Sequence, residues 1–274
     1  MKIYLLAIFL LLMIRTNASV DTVAIYSEGM HKIIKTVVIK PSYYNKTTHF
    51  PTVYLLHGYS GNYSDWIRKV PNLQKLSDDN HLLIVCPDGG FSSWYFDSPI
   101  DSTFKYETFV AIEVPKFIDS HYNTIANRKA RAISGLSMGG HGALYLGYRH
   151  ADIFGACGSM SGGVNLNTSK NKFDVTKRIG DTIKYALNWK NYSVLNVVDT
   201  YPKDSIAIIV DCGVDDFFYE DNKELHRKLV AMKINHDYIE RPGKHDWKYW
   251  SNAIEYQLYF FKKYFKSQGT VVTN

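Results

Sequence analysis

One serine in this sequence has the surroundings of a catalytic nucleophile. Ser137 is the central residue of the segment GLSMG at 135–139. This pattern is typical of a nucleophile on a sharp turn between a strand and a helix, where glycines leave room that larger side chains would fill. The residues ARAIS before it predict the strand, and GGHGALYLGYRH after it predicts the helix. We therefore predict that Ser137 attacks a carbonyl carbon and that the backbone N–H of Met138 stabilises the resulting oxyanion.

A serine nucleophile requires a base, and ten histidines compete for that role. In the fold that this turn indicates, the chain order is serine, acid and histidine, so the base follows Ser137. His245 lies in the loop PGKHDW, between the last predicted strand and the last predicted helix. His226 is expected to be an exposed residue inside a helix, and His236 begins a strand. The sequence therefore predicts His245 as the general base.

Three aspartates lie at the end of an apolar strand predicted at 206–211 or just after it: Asp211, Asp215 and Asp216. They are candidates for the acid that orients the base. Their carboxylates emerge at the carboxyl edge of the sheet, beside the nucleophile. The turn made by Gly213 should bring the later residue back over the sheet, which favours Asp216. Asp215 is the alternative, and Asp211 is expected to cap the end of the strand.

A second glycine-containing turn, LLHGYSG at 55–61, ends an early predicted strand. In this fold such a turn supplies the second amide of the oxyanion hole, which we assign to the backbone N–H of Tyr59. His57 precedes the serine in the chain, so it does not suit the role of base. We expect it to shape the turn through side-chain hydrogen bonds.

The elements that must position these residues alternate along the chain. Strands are predicted at 37–39, 53–56, 82–86, 130–134, 154–160, 206–211 and 236–240, and helices at 106–119, 138–148, 222–232 and 247–264. Such alternation is typical of βαβ units and a mostly parallel sheet, so we predict an α/β-hydrolase fold over 19–274, with helices on both faces of the sheet. The polar residues 163–204 interrupt the alternation; they form either a lid or binding wall, or an excursion with only a structural role.

The N-terminal residues have the features of a secretory signal peptide. Lys2 supplies a positive charge, Ile3 to Ile14 is an apolar run, and small residues lead to a cleavage point after Ala18. The run is short for a bilayer span, which needs about 20 apolar residues, although an uncleaved anchor is the alternative. We therefore predict a signal peptide at 1–18 and a secreted or periplasmic protein with no stable membrane insertion after cleavage.

Composition and charge argue against nucleic-acid binding. The 274 residues are 46% hydrophobic and 21% charged, which is ordinary for a globular domain. The net charge of +6 falls to +4 without residues 1–18, because two basic residues and no acidic ones are removed. The densest basic cluster, Lys170, Lys172, Lys177 and Arg178, is expected to be a solvated face. Nucleic-acid binding requires a concentrated basic stripe, so no nucleic-acid partner is predicted.

The three cysteines, Cys86, Cys157 and Cys212, each lie in or beside an apolar run. This placement predicts buried free thiols, although export would allow two of them to pair. The spacing of cysteine and histidine matches no metal-binding pattern. We therefore expect neither a metal nor another cofactor.

With these residues assembled, the sequence resembles the esterase D-like family of α/β-hydrolases. That family includes feruloyl and acetyl-xylan esterases, tributyrin esterases, S-formylglutathione hydrolases and secreted mycolyltransferases. The resemblance rests on VYLLHGYSG, CPDGGFSSWYFDS, YETF, ISGLSMGGHGAL, CGVDDFFYEDN and PGKHDWKYW. It implies that the acid is Asp216, that the base is His245, and that Trp94 and Tyr95 line or buttress a substrate pocket, to which we also assign His57. It is strongest with the secreted bacterial branch, whose usual substrates are plant cell-wall acyl esters.

The sequence therefore predicts a secreted serine carboxylic-ester hydrolase that removes feruloyl or acetyl groups from plant polysaccharide through an acyl-enzyme on Ser137. A broad short-chain acyl esterase and an acyltransferase are the alternatives. Hydrolase and transferase share one acyl-enzyme and differ in water exclusion and acceptor binding. A catalytically silent binding module is disfavoured because Ser137, Asp216 and His245 are all present.

Overall fold

The computed structural model describes residues 19–200 and 206–270, and one eight-stranded sheet runs through its centre. The strands are β1 Val20–Ser27, β2 Lys32–Ile39, β3 Thr52–Leu56, β4 Leu83–Pro87, β5 Arg131–Gly135, β6 Ala156–Met160, β7 Ala207–Gly213 and β8 Asp237–Arg241. Their spatial order is β1-β2-β4-β3-β5-β6-β7-β8. The pairs β1–β2 and β2–β4 are antiparallel, and the other neighbours are parallel. The predicted signal peptide at 1–18 lies outside the described residues.

Helices cover both faces of this sheet. They are α1 Asp65–Lys69, α2 Leu73–Asn80, α3 Tyr106–Thr108, α4 Val114–His121, α5 Met138–Arg149, α6 Val175–Ile179, α7 Ala186–Tyr192, α8 Val194–Val197, α9 Tyr219–Ala231 and α10 Trp247–Ser267. Apolar residues of α4, α5 and α9 pack on one face, and those of α1, α2 and α10 on the other. None of these helices, within the ranges described, is long and apolar enough to cross a membrane.

Alternate residues of each central strand enter different cores, as the two-residue period of a strand requires. In β3, Tyr54 and Leu56 pack in one core, whereas Val53 and Leu55 pack in the other. The predicted α/β architecture with a mostly parallel sheet is therefore confirmed. Strand β1 and helices α1 and α2 were not predicted, and the helix predicted at 106–119 contains a π-helical turn at Phe109–Glu113.

The polar segment 163–204 is called the insertion below. Its described part packs onto the rest of the protein through buried side chains as well as backbone. The Arg178 guanidinium lies 3.7 Å from the centre of the Phe104 ring and pairs with Asp101 at 3.4 Å. Only 9% of Arg178 is exposed, so the prediction of a solvated face is wrong for this residue, because its charge is held between a ring and a carboxylate. The other three side chains of the basic cluster are exposed: Lys170, Lys172 and Lys177.

The three cysteines are buried and none takes part in a disulfide. The prediction of buried free thiols is therefore confirmed. Burial raises the pKa of each thiol well above its ordinary value. All three lie in strands of the sheet: Cys86 in β4, Cys157 in β6 and Cys212 in β7.

Candidate active site

Ser137 lies on the turn between β5 and α5 in a backbone conformation that residues with a side chain rarely adopt. Its φ is +54°, in the left-handed region. A Cβ added at Gly139 would lie 2.6 Å from the carbonyl oxygens of Leu56 and His57, so that position admits only glycine. The strained turn places Ser137 at the carboxyl end of β5 and at the first turn of α5.

The structure brings Ser137, His245 and Asp216 into one hydrogen-bonded row. His245 Nε2 is 2.8 Å from Ser137 Oγ. His245 Nδ1 is 2.8 Å and 3.0 Å from the two carboxylate oxygens of Asp216. The Asp216 side chain is fully buried, and the backbone N–H of Phe218 donates a second hydrogen bond to it at 2.8 Å. This arrangement can take a proton from the serine and stabilise the imidazolium that forms.

The other two candidate acids have different surroundings. Asp215 is exposed, and its backbone N–H donates to the carbonyl of Gly243. The Asp211 carboxylate is buried against Tyr249 and Arg241, with a distance of 2.8 Å to the guanidinium. Burial raises the pKa of Asp211 more than these two partners lower it. The expectation that Asp211 caps the strand end is wrong, because β7 continues past it.

The two predicted oxyanion donors flank the serine. Among the described residues, neither the Met138 N–H nor the Tyr59 N–H has a hydrogen-bond acceptor. A Cβ added at Gly58 would lie 3.5 Å from the Ser137 Cβ, so the turn that carries Tyr59 lies directly against the serine. Two unpaired amides beside a nucleophile can bind the negative oxygen of a tetrahedral intermediate.

His57 is buried behind this turn, with 1% of its surface exposed. Its Nε2 accepts a hydrogen bond from the Gly89 N–H at 2.7 Å, and its Nδ1 lies 2.8 Å from the carbonyl of Gly58. Because a carbonyl can only accept, Nδ1 carries the proton. His57 thus braces the turn, as expected, and does not line the pocket to which it was also assigned.

Trp94 and Tyr95 are also buried, with 1% and 0% of their surfaces exposed. The Tyr95 hydroxyl donates to the carbonyl of His57 at 2.9 Å, and Trp94 Nε1 donates to the carbonyl of Phe173 at 2.9 Å. Neither ring lines the cavity beside Ser137. Of the two roles that the resemblance implied for them, this geometry fits buttressing.

The cavity at the serine has a volume of about 290 Å³ and is lined mainly by rings. Ser137 and His245 lie in its wall, together with the carboxylate of Asp65. The rings come from five further residues: Tyr59, Phe173, Phe217, Trp247 and Trp250. Cavities of about 380 and 680 Å³ lie elsewhere, and Ser137 lines neither.

Sequence reasoning missed four of these rings. Phe217 and Trp247 follow predicted catalytic residues closely, and that proximity is a signal that could have found them. Trp250 is one helical turn beyond Trp247 on α10. Phe173 belongs to the insertion and follows no pattern that would have indicated its position.

Two other histidines that were considered as bases lie in a cluster of their own. His226 is half-buried, with its Nδ1 2.8 Å from His236 Nε2 and its ring stacked on Tyr238 at 4.2 Å. The expectation that His226 is exposed is wrong, because the side chains of β8 cover it. Within the described residues, no group of three histidine, cysteine or acidic side chains is placed to hold a metal ion.

Known proteins are similar to this chain in sequence and in architecture. A family model for esterases matches residues 27–261. The acetyl esterase of Caldicellulosiruptor saccharolyticus is 30% identical over 215 residues, which cover 74% of this chain and 80% of that protein. The diacylglycerol acyltransferase/mycolyltransferase Ag85B of Mycolicibacterium smegmatis is 26% identical over 242 residues, which cover 74% of each chain. A solved structure of a ferulic acid esterase matches with a TM-score of 0.78 at 30% identity, over 90% of this chain and 98% of that one.

Proposed function

The chain belongs to the esterase family and is a carboxylic ester hydrolase of the α/β-hydrolase fold, and from this premise we propose that Ser137 is its nucleophile, His245 its base and Asp216 the orienting acid. The observation that carries the proposal is the row of hydrogen bonds that joins the three side chains beside a cavity. Two unpaired amides, of Met138 and Tyr59, complete the arrangement.

In the mechanism, His245 takes the proton from Ser137 as its oxygen attacks the ester carbonyl. The Met138 and Tyr59 amides hold the oxyanion, and Asp216 keeps the imidazole in the tautomer that accepts at Nε2. The alcohol leaves with a proton from His245, and an acyl group remains on the serine. His245 then activates a water molecule, which releases the acid.

The proposed substrate is plant polysaccharide bearing feruloyl or acetyl groups. A relative named as an acetyl esterase and a neighbour named as a ferulic acid esterase, each 30% identical, support this class. The similarity to an acyltransferase supports the second candidate, transfer of the acyl group to an alcohol instead of water. The two share the acyl-enzyme, so acceptor binding separates them.

Export is the other part of the proposal. We propose that residues 1–18 are removed as a signal peptide and that the mature chain begins at Ser19. Strand β1 begins at Val20, so cleavage after Ala18 would leave every described element intact. N-terminal sequencing of protein secreted by an expression host tests this; a mature chain that retains residues 1–18 would contradict it.

A substrate panel with a matched serine variant tests the assignment. Purified wild type is assayed on methyl ferulate, acetylated xylan, p-nitrophenyl acetate, p-nitrophenyl butyrate and tributyrin. We expect turnover of methyl ferulate or acetylated xylan to exceed that of the other esters, whereas equal rates would favour a broad esterase. Ser137→Ala should lower kcat by about 10⁶-fold, because it removes the nucleophile.

The control is Ser159→Ala, which removes another buried hydroxyl, one that has no partner in the described part of the chain. It should keep near-wild-type turnover. A folded Ser137→Ala protein with wild-type kcat would overturn the assignment of the nucleophile. Added alcohol acceptors, with products separated by chromatography, distinguish transfer from hydrolysis.

A further inference from the structure

The insertion contributes one ring to the cavity, and its backbone is strained there. Asn171, Phe173 and Asp174 have φ values of +64°, +53° and +56°. This left-handed region is rarely occupied by residues other than glycine, and for a bulky aromatic residue it is a true outlier. Such conformations persist only where the surroundings impose them, and they cluster at functional sites. The strain at Phe173 therefore requires contacts that hold it.

Those contacts come from residues around the catalytic serine. Trp94 Nε1 donates to the carbonyl of Phe173 at 2.9 Å. The Tyr59 hydroxyl donates to Asp174 Oδ2 at 3.3 Å, and Lys177 pairs with Asp174 Oδ1 at 2.9 Å. The turn of the proposed oxyanion hole and a buried tryptophan thus hold the Asp174 side chain and the backbone of Phe173, whose ring lies in the cavity wall.

Phe173 joins two neighbouring rings into what we call the aromatic wall, defined as Tyr59, Phe173 and Phe217. The centre of the Phe173 ring is 5.4 Å from that of Tyr59 and 6.3 Å from that of Phe217, to which it is nearly parallel at 16°. All three line the cavity. Phe217 is 58% exposed. Phe91, whose ring contacts that of Tyr59, is 59% exposed. Large apolar side chains left in water beside a cavity mark a surface that binds a ligand.

The position of Phe173 favours the acyl side of the ester. The leaving alcohol must lie next to His245, because that imidazole protonates it. Within the described residues, the ring of Phe173 makes no direct ring contact with His245, whereas the rings of Phe217 and Phe218 each contact both of them. Its other ring contact is with Tyr59, on the oxyanion side. The aromatic wall begins at Phe217, beside His245, and continues through Phe173 to Tyr59. A substituent that extends away from His245 toward Phe173 and Tyr59 is therefore the acyl group.

We propose that Phe173 is a specificity-determining residue that selects esters with a planar aromatic acyl group. The inference rests on the proposed function, because it takes Ser137 and His245 as the reacting groups. An aromatic acyl group can stack on the aromatic wall, with ring centres 4.5–7 Å apart as in other aromatic pairs. An acetyl group has no ring to place there and leaves most of a 290 Å³ cavity unfilled. Phe173 thus decides between the two acyl groups of the proposed substrate.

The test compares two esters that carry a ring on opposite sides of the bond. Methyl ferulate has an aromatic acyl group, and phenyl acetate has an aromatic alcohol. In Phe173→Ala, the ratio of kcat/KM for methyl ferulate to that for phenyl acetate should fall about 10- to 100-fold, the effect of losing one apolar contact surface in a specificity pocket. The control Tyr259→Ala removes a ring that is 62% exposed on α10 and should leave the ratio unchanged.

A second variant distinguishes loss of the ring from loss of folding. Phe173→Gly removes the ring and relieves the left-handed backbone, so it should fold at least as well as Phe173→Ala and show the same fall in the ratio. An unchanged ratio in both folded variants would overturn the inference, and so would a selective loss of phenyl acetate turnover. A wild type that hydrolyses neither ester would instead contradict the proposed function.

Discussion

Two adjacent carboxylates in the loop after β7 have opposite surroundings. The Asp216 side chain is fully buried and lies 2.8 Å from His245 Nδ1. Asp215, one residue earlier, is exposed, and its backbone N–H donates to the carbonyl of Gly243. A buried carboxylate can fix the tautomer of an imidazole, whereas an exposed one is screened by water. The difference in burial therefore makes Asp216, and not Asp215, suited to orient His245.

This difference gives a prediction with a matched control. Asp216→Asn should lower kcat by about 10⁴-fold, because an amide donor opposite His245 Nδ1 favours the wrong tautomer. Asp215→Asn makes the same chemical change one position away and should keep kcat near that of the wild type. Steady-state kinetics on the preferred ester measures both. Equal losses in the two variants would show that Asp216 has no special role.

Among the helices, α5, which follows Ser137, is fixed at its far end by a buried carboxylate. Glu107 in α3 accepts hydrogen bonds from Tyr145 at 3.1 Å, Arg149 at 2.7 Å and His150 at 2.9 Å. Burial alone would raise the pKa of Glu107, but the hydrogen bonds from His150 and Arg149 outweigh it and lower the pKa below its ordinary value. Ionised Glu107 therefore stabilises the packing of α3 against α5.

The lowered pKa predicts how stability depends on pH. Because the folded protein binds a proton at Glu107 less readily than the unfolded chain, its stabilisation is full above the ordinary pKa of 4.5 and is lost as the pH falls through the lower folded value. Glu107→Gln should reduce the free energy of unfolding by about 2 kcal/mol at pH 7. The difference from the wild type should shrink below pH 4.5.

Urea unfolding of both proteins at pH 7 and at pH 3.5 measures this difference. The control is Glu224→Gln, which neutralises an exposed carboxylate on α9 and should change stability little at either pH. A deficit in Glu107→Gln that is the same at both pH values would show that the charge of Glu107 contributes nothing.

At the scale of the whole molecule, two apolar cores on opposite faces of the sheet hold the fold together. Cys157 packs in the core that contains α5, and Cys86 packs in the core that contains α10. Cys212 is also fully buried, at 0% exposure. The same central strands contribute side chains to both cores, so no covalent link is needed to join the faces.

The burial of all three thiols predicts slow reaction of the native protein with thiol reagents. Burial raises the pKa of all three cysteines, so they are neither ionised nor accessible at neutral pH. The native protein should react slowly with Ellman's reagent, and three thiols should react at once in guanidinium chloride. The melting temperature should be the same with and without dithiothreitol. Fewer than three thiols in the denatured protein, or a melting temperature lowered by reductant, would reveal a disulfide.

The fold class, the family and the position of the turn at Ser137 could all be predicted from the sequence. These depend on local order: a strand, a glycine-flanked serine and a helix are adjacent in the chain, so a short pattern describes them. The chain order of serine, acid and histidine likewise selected His245 from ten histidines. Strand β1, at the antiparallel edge of the sheet, was not predicted because its side chains are only partly buried and its apolar pattern is weak.

Which side chains surround the cavity at Ser137 became clear from the tertiary structure alone. The aromatic wall joins Tyr59 after β3, Phe173 in the insertion and Phe217 after β7, and no pattern within one segment records that they meet. The structure likewise shows that Asp216 is buried and Asp215 is not. Trp94 and Tyr95 are buried behind the cavity surface and do not form part of it. These contacts depend on packing between distant segments, whereas the turn at Ser137 depends on the backbone of five consecutive residues.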